Sequence, residues 1–279
     1  MSNYFYARVS SFCFAITYIL PVLAIADAVW QDGPPSFGQC FASGAVGFLL
    51  IGGPMSICLH RFFAHSAFST TRSFRFFLAI VSTFAYQGGP LWWASKHRRH
   101  HKLCDAPGDP HSPAQLGFMR AFWGWTLDPA ERSVDYDFVK HIGGCLELEM
   151  LEYIWFFFPV SAFFAVRRCG PTPAALWVAA PLLVCRLVTL LFNVEFHREK
   201  KGDSCAAVDV ARFLGDLVGE SAHGHHHIHP KTLRRPSLGP PWADLPYFIF
   251  VLPLLKVGLI WLPQAPTTNV TNRTNRKND

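Results

Sequence analysis

Charged residues are scarce in this chain, and that scarcity is the first guide to its environment. Asp, Glu, Lys and Arg make up 16% of the 279 residues, whereas 51% are hydrophobic. Soluble globular domains carry about 25% charged residues, so this balance favours a protein embedded in a membrane. The formal charge of +6 suits anionic lipid headgroups or the inner face of a membrane protein, and the long apolar runs argue against nucleic acid as a partner.

Motifs of closely spaced cysteines are also lacking. The eight cysteines form no Cys-x-x-Cys motif and no regular framework. We therefore predict that they fill core or membrane positions in a reducing compartment and have no chemistry of their own. The amino end lacks a basic stretch followed by a short apolar core and a small-residue cleavage site, so its first apolar run is predicted to be a retained anchor.

Four apolar runs are candidate spans of a bilayer, whose core a helix of about 20 residues crosses, and the third of them is short. The predicted spans are residues 9–30, 40–59, 153–166 and 174–196. Two further runs, 74–86 and 245–262, are predicted to lie in the membrane interface. Residues 1–262 are thus expected to form one all-α membrane domain, and residues 263–279 a polar, disordered tail.

Four spans place every histidine on one side of the membrane. That side also carries most of the basic loop residues, whereas the opposite loops contribute only Arg167 and Arg168. By the positive-inside rule, the histidine side and both termini are predicted to be cytoplasmic. Arg186, inside the last span, is expected to face the helix bundle rather than lipid.

Nine of the histidines form a spacing pattern typical of a metal site. They are His60 and His65; His97, His100 and His101; His197; and His223, His226 and His227. Positions i, i+3 and i+4 of a helix share one face, so each His-x-x-His-His set can converge on a metal, as Asn193 can with His197. His60 and His65 lie about 140° apart on a regular helix, so we expect the helix to end between them.

Nine imidazoles are too many for one tetrahedral zinc, and no thiolate is placed to complete a zinc finger. Two metals are the simpler count, and the near absence of acids in these clusters argues against a soluble carboxylate-bridged di-iron bundle. The alternative is a set of surface or metal-buffering histidines. We assign His141, His225 and His229 to that alternative, and His111 to a structural hydrogen-bonding role.

The motifs HRFFAH, QGGPLWWASKHRRHH, GDPH, NVEFH and GESAHGHHHIHP, in this order, resemble the membrane fatty-acyl desaturases of the stearoyl-CoA Δ9 type. The resemblance implies four transmembrane helices under a cytoplasmic helical cap that holds two iron ions. It also implies oxygen-dependent formation of a cis double bond in a long acyl chain carried by CoA or by a lipid. The nine histidines above would ligate the irons, and Asn193 would hold one iron through a water.

The resemblance extends to supporting residues. Candidates for orienting the ligands through hydrogen bonds are Asp109, Glu195 and Glu220. Candidates for lining the acyl site are Phe48, Gly52, Gln87, Trp92, Trp93 and Lys96.

Two departures from the family leave the acyl carrier open. Members that use acyl-CoA carry an Arg-Asp pair and a later basic pair where this chain has Ser95-Lys96 and Ala114-Gln115. The carrier is therefore a lipid, or a CoA bound through other cations such as Lys96 or Arg120.

No His-Pro-Gly-Gly haem motif is present, which predicts a separate electron donor of the cytochrome b5 or ferredoxin type. The expected membrane is the endoplasmic reticulum in a eukaryote or the inner membrane in a bacterium. A membrane hydroxylase is the nearest alternative activity. A metal transporter with histidine-rich loops is the alternative of another class, although Asp27 and Arg186 are almost the only ionisable residues in the spans.

Overall fold

The structure is a computed structural model that describes residues 3–197, 205–236, 238–240 and 243–263, with side chains from Phe12 onward. Except for Pro263, the predicted polar tail lies outside the described residues. The α-helices are α1 (Asn3–Asp32), α2 (Phe37–Leu50), α3 (Arg72–Ser82), α4 (Pro90–Leu103), α5 (Pro113–Leu116), α6 (Phe118–Phe122), α7 (Tyr136–Val139), α8 (Leu146–Ile154), α9 (Phe157–Arg167), α10 (Pro171–Ala174), α11 (Ala180–Glu195), α12 (Phe213–Val218), α13 (His223–Ile228) and α14 (Leu252–Lys256).

Segments of 3₁₀-helix and π-helix extend several of these α-helices. Short 3₁₀ turns lie at Thr83–Ala85, Gly124–Leu127 and Pro129–Glu131, and π-helical segments at Ile51–Ala64, Ala175–Ala179 and Tyr247–Val251. Two short strands, β1 (Ser69–Thr70) and β2 (Ile260–Trp261), pair antiparallel. The protein is therefore mostly helical, and the paired strands depart from the predicted all-α fold.

Within the part of the chain that the structure describes, three continuous helices are long and apolar enough to cross a membrane: Phe12–Asp32, Phe37–Ala64 and Pro171–Glu195. They overlap the predicted spans 9–30, 40–59 and 174–196. The predicted third span, 153–166, differs, because α8 and α9 meet at a bend of 51° and Tyr153 belongs to α8. This bent pair is the fourth candidate span only if both helices count as one.

The predicted interfacial runs are both partly helical. Residues 74–86 correspond to α3 and the 3₁₀ turn that follows it. Residues 245–262 contain the apolar helix Tyr247–Lys256, after which the chain turns and forms β2. The second run is therefore not one continuous helix.

Local sequence explains how α2 begins and where it packs. Ser36 and Gln39 form a reciprocal capping box at its amino end, which satisfies backbone N–H groups that the first turn leaves without helical partners. Ser43 and Gly47 lie one turn apart and are buried. A Cβ on Gly47 would lie 3.2 Å from Val184 Cγ1, so the small residue allows α2 and α11 to approach closely.

Helix α4, which carries the second histidine set, is fixed at its amino end by a carboxylate from another helix. Glu152 of α8 is buried and accepts hydrogen bonds from the backbone N–H groups of Leu91 at 2.6 Å and Trp92 at 3.2 Å. The contact fixes the amino end of α4 relative to α8.

Two buried arginines join the membrane helices to the histidine-bearing segments. Arg186 is fully buried and donates to the Tyr86 carbonyl oxygen and to Thr126 Oγ1, so it faces the bundle as predicted. Arg61, between the first two histidines, donates to both carboxylate oxygens of Asp244 at 2.5 and 3.0 Å. The Arg61–Asp244 ion pair joins the segment after α13 to the helix that carries His60.

Candidate metal centre

The nine predicted histidines converge on two adjacent groups. Within each group, the ligand atoms lie within 4.8 Å of one another. Cluster A consists of His60, His65, His97, His101 and His226. Cluster B consists of His100, His197, His223 and His227. The chain therefore brings every predicted histidine ligand to one place.

Helix α4 divides its histidines between the two clusters. His97 and His101, one turn apart, face cluster A, with their Nε2 atoms 3.1 Å apart. His100 faces cluster B, and its ring centre is 4.6 Å from that of His197. One regular helix thus contributes to both groups because its two consecutive histidines point in different directions.

The first histidine pair shares a face for a reason that the regular-helix argument misses. The chain from Ile51 to Ala64 is wound as a π-helix, and His65 follows as its C-cap. The His65 N–H bonds to the His60 carbonyl oxygen at 3.2 Å, the i to i+5 pattern of a π turn. The expectation that the helix ends between these residues is wrong, because a wider turn aligns positions five apart.

The third histidine set lies on a short helix that closes both clusters. His226 Nε2 of α13 is 2.9 Å from His60 Nε2 in cluster A. His223 Nε2 is 3.1 Å from His197 Nε2 in cluster B, and 3.3 Å from His227 Nε2. Only one proton can lie between two nitrogens at these distances, so at least one nitrogen of each pair presents a lone pair. Several lone pairs therefore face a common centre.

Burial keeps six of these imidazoles in the neutral form. It lowers the pKa of His65, His97, His100, His101 and His226 well below the ordinary value, and that of His223 to about 4. Neutral imidazole is the form that ligates a metal. Nine imidazole nitrogen donors, most of them buried and without a thiolate among them, fit iron, copper or zinc better than a hard, oxygen-preferring cation. The donor set therefore fits two transition-metal ions.

Carboxylates orient ligands of both clusters through their Nδ1 atoms. Asp109 Oδ2 lies 2.8 Å from His100 Nδ1, and Glu220 Oε1 lies 3.0 Å from His60 Nδ1. Such a contact fixes the tautomer and leaves Nε2 free to bind the metal. Glu195, the third predicted carboxylate, instead pairs with Arg212 at 3.0 Å.

Replacing Asp109 by asparagine should weaken metal binding in cluster B by about 10–100-fold, because the amide no longer carries the charge that supports His100. Competition with a chelator, followed by metal analysis of the purified protein, measures this change. Glu195→Gln is the matched control and should retain the wild-type affinity. Equal losses in the two variants would contradict the assignment.

Three residues near the clusters were missed or assigned another role in the sequence analysis. Asp105 is buried, and its Oδ2 lies 2.9 Å from His197 Nδ1. Arg235 is buried and contacts His226 Nδ1. His111 packs its ring 4.2 Å from His100 and belongs to a further possible ligand group with His100 and Asp109. Asp105 follows the second histidine set by four residues, but nothing in that spacing links it to His197.

The remaining histidines lie outside both clusters. The rings of His225 and His229 are 4.7 Å apart. His141 Nε2 lies 2.9 Å from Arg98 Nη2. These positions agree with a non-ligand role for all three.

Two small cavities reach the clusters. One, of about 50 Å³, is lined by Ile51, Met55, Ser56, His60, Trp93, His97, Thr189, Phe192, Asn193, Val218, Glu220 and His223. The other, of about 10 Å³, is lined by Gln87, Trp93, Lys96, His97, His111, Trp125, Leu190 and Asn193. Trp93 and Asn193 line both cavities, and Trp93 stacks on His97 at 4.7 Å. Asn193 therefore lies beside ligands of both clusters.

The predicted acyl-site residues divide into two groups. Gln87, Trp93 and Lys96 line these cavities. Trp92 instead stacks on Trp125 at 5.5 Å in the core. Gly52 faces Phe250 and Pro246, and Phe48 packs against the core, so neither is among the residues that line the two cavities.

The cations beside the smaller cavity are paired with acids. Lys96 Nζ lies 3.0 Å from Glu131 and 2.9 Å from Asp135, and it is almost fully buried. Arg99 contacts the same two carboxylates. Arg120, further along the chain, pairs with Asp128. Two cations and two carboxylates leave the Lys96 group without net charge.

One cysteine pair overturns the expectation that the cysteines have no chemistry. Cys104 and Cys205 form a disulfide across 101 residues of chain. The disulfide was not predicted from the sequence, because no spacing rule links cysteines so far apart. Cys13, Cys58 and Cys185 are free and buried, as predicted for core residues.

The chain has sequence relatives among the lipid and acyl-CoA desaturases. No family model matches the chain. It is 24% identical over 87% of its length to the chloroplastic palmitoyl-monogalactosyldiacylglycerol delta-7 desaturase of Arabidopsis thaliana, 64% of which it covers. It is 39% identical over 81% of its length to the icosanoyl-CoA 5-desaturase of Limnanthes douglasii, 63% of which it covers.

A bacterial relative is covered more fully. The chain is 27% identical over 78% of its length to the sn-1 stearoyl-lipid 9-desaturase of Anabaena variabilis and covers 82% of that protein. The two plant relatives above are longer, and the chain spans less than two thirds of each. The resemblance read from the histidine motifs is thereby confirmed: the chain is related by sequence to the fatty-acid and lipid desaturases.

Proposed function

We propose that this protein is an oxygen-dependent fatty-acyl desaturase that introduces a cis double bond, of the Δ9 type, into a long saturated acyl chain. Two iron ions would occupy clusters A and B, with Asn193 holding one of them through a water. The observation that carries the proposal is the convergence of nine imidazoles on two adjacent points beside a narrow cavity.

The irons, once reduced by an electron donor, would supply the oxygen chemistry that removes two hydrogens from adjacent methylenes. The residues around them have the task of positioning, because an unactivated acyl chain offers no polar handle at the reacting carbons. Ile51, Met55 and Phe192 give the larger cavity apolar walls, which favour a methylene chain and exclude water. Trp93, stacked on His97, forms a flat wall beside cluster A.

For the acyl carrier, the charge distribution favours a lipid over CoA. The Lys96 group has no net charge, and Arg120 is also paired, so the two cations suggested for CoA phosphates are both engaged with acids. A CoA headgroup carries several negative charges and is bound best by cations without competing partners. Relatives named for each carrier are known, so assays should supply both.

We further propose a cytoplasmic cap that holds the metal site, cytoplasmic termini, and residues 1–262 as one membrane domain. The membrane would be the endoplasmic reticulum in a eukaryote or the inner membrane in a bacterium. Electrons would come from a separate cytochrome b5 or ferredoxin type of donor. The basic residues on the histidine side support this orientation.

The charged residues in the candidate spans do not favour a metal transporter. Asp27 pairs with Arg167 at 3.1 Å, and Arg186 is buried against backbone and hydroxyl oxygens. Both charges therefore have structural partners, whereas a transport path needs ionisable groups facing a route through the membrane.

Expression in a desaturase-deficient yeast, followed by gas chromatography of the total fatty acids, tests the proposal. New monounsaturated acids would support it and would locate the double bond. Assays of the purified protein with stearoyl-CoA and with a stearoyl phospholipid would then identify the carrier. Hydroxylated chains in place of unsaturated ones would favour the membrane hydroxylase.

A further inference from the structure

The disulfide between Cys104 and Cys205 lies against cluster B. Cys104 follows the carboxyl end of α4, and its Sγ is 3.8 Å from His197 Nδ1. Cys205 Sγ is 3.5 Å from His227 Nδ1. The bond therefore contacts two of the four cluster B histidines on the nitrogens that face away from the metal centre.

The residues next to the two cysteines meet at one carboxylate oxygen. Asp105 Oδ2 lies 2.9 Å from His197 Nδ1 and accepts a hydrogen bond from the Ala206 N–H, also at 2.9 Å. The disulfide thus holds together the two segments that place this carboxylate on His197. Without it, the Ala206–Asp105 hydrogen bond still joins the two segments, but such a bond is weak by itself.

The pair is accessible to reagents. Cys205 is exposed, and Cys104 is partly buried. Disulfides are rare in reducing compartments, where those that form are usually transient and redox-responsive. A disulfide on the side of the membrane proposed to be cytoplasmic is therefore expected to open and close.

We propose that Cys104 and Cys205 form a reversible thiol modification site whose oxidation tightens the hold of cluster B on its metal. This inference rests on the proposed di-iron function. The partners are a dithiol as reductant and a peroxide as oxidant. The two cysteines are positioning residues, since they act through His197, His227 and Asp105.

Reduction proceeds by thiol–disulfide exchange. A thiolate of the dithiol attacks the exposed Sγ of Cys205, the S–S bond breaks, and Cys104 leaves as a thiolate that takes up a proton. The second thiol of the reductant then displaces Cys205. Two electrons and two protons pass to the protein, and the reductant becomes a disulfide.

Oxidation restores the bond. The Cys205 thiolate attacks hydrogen peroxide to give a sulfenic acid and hydroxide, and the Cys104 thiol then attacks that sulfur and releases water. The proton that the Cys205 thiol released on forming its thiolate neutralises the hydroxide. Two thiols and one peroxide thus yield one disulfide and two waters.

The test uses the full-length, iron-loaded protein in its oxidised and dithiothreitol-reduced forms, with Cys104→Ser and Cys205→Ser compared in parallel. Alkylation followed by mass spectrometry counts free thiols, and a chromogenic chelator follows iron release. Cys40→Ser and Cys169→Ser, which replace exposed free cysteines, are the matched controls. Reduction of the wild type supplies the comparison even if a serine variant folds poorly.

Oxidised wild type should show two fewer alkylated thiols than the reduced form. Reduced wild type and both disulfide variants should release part of their iron about tenfold faster than oxidised wild type. The controls should match wild type in both redox states. Reductant should change nothing further in Cys104→Ser and Cys205→Ser.

Free thiols at both positions in air-oxidised protein would overturn the proposal, as would equal iron release from the oxidised and reduced forms. A non-iron metal that disappears with either cysteine would also overturn it, in favour of a metal site formed by Cys104, Asp105, His197 and Cys205. A protein that binds no iron would overturn the proposed function as well. Redox-dependent iron release from a protein that does not desaturate acyl chains would instead refute only the proposed desaturation.

Discussion

Replacing His226 by alanine is expected to abolish desaturation and to remove iron, whereas replacing its neighbour His225 leaves both unchanged. His226 is almost fully buried, and its Nε2 points at His60 Nε2 across 2.9 Å in cluster A. The His225 ring instead packs against His229 outside the clusters. Loss of a direct ligand should lower the iron affinity by more than the about 10–100-fold decrease that follows loss of a residue that hydrogen-bonds to a ligand.

The pair is a sharp test because the two substitutions are chemically identical and adjacent on α13. Both remove one imidazole from the same short helix, so a general weakening of that helix would appear in both. Metal analysis of the purified variants and fatty-acid profiles of the expressing yeast provide two independent measurements. Equal iron loss in His225→Ala and His226→Ala would contradict the assignment of α13 to the metal centre.

Replacing Asp244 by asparagine is expected to lower the free energy of unfolding by about 3–5 kcal/mol. Asp244 is fully buried, and both of its oxygens bind Arg61, which is also fully buried. The carboxylate also accepts the N–H of Arg235 at 2.9 Å. Removing one charge of a buried pair leaves the other without compensation, and that is more costly than losing the whole pair.

Thermal and denaturant unfolding in a single detergent would measure this effect. Glu147→Gln is the control, because Glu147 pairs with the exposed Arg72 and such surface pairs contribute only about 0–1 kcal/mol. The double variant Arg61→Met/Asp244→Leu should recover part of the loss, since it leaves no isolated charge. Similar stabilities for Asp244→Asn and Glu147→Gln would refute the structural role of the pair.

The histidine spacing allowed much of the metal centre to be predicted. His97, His100 and His101, and likewise His223, His226 and His227, follow i, i+3, i+4 patterns, and helices do carry them. A helix face is a local property, so sequence spacing is enough to define it. Asp109 does lie beside His100, because a carboxylate nine residues away can return to it within one turn-rich segment.

The failures all involve backbone geometry or long-range contacts. The π-helical winding that aligns His60 with His65 depends on how the helix packs, and residue spacing does not distinguish it from a helix end. Asp105 reaches His197 across 92 residues of chain. Glu195 is a carboxylate close in sequence to Asn193 and His197, but its side chain pairs with Arg212.

The amino-acid sequence by itself determined the membrane environment, the mostly helical fold, the set of nine candidate histidine ligands and the resemblance to the desaturases. These depend on composition and on spacing within single helices, which are encoded locally. Only the tertiary structure decided how the histidines divide into clusters A and B, which carboxylates support them, and that Cys104 meets Cys205. Those features require segments far apart in the chain to meet, and the packing energy that brings them together is a property of the whole fold.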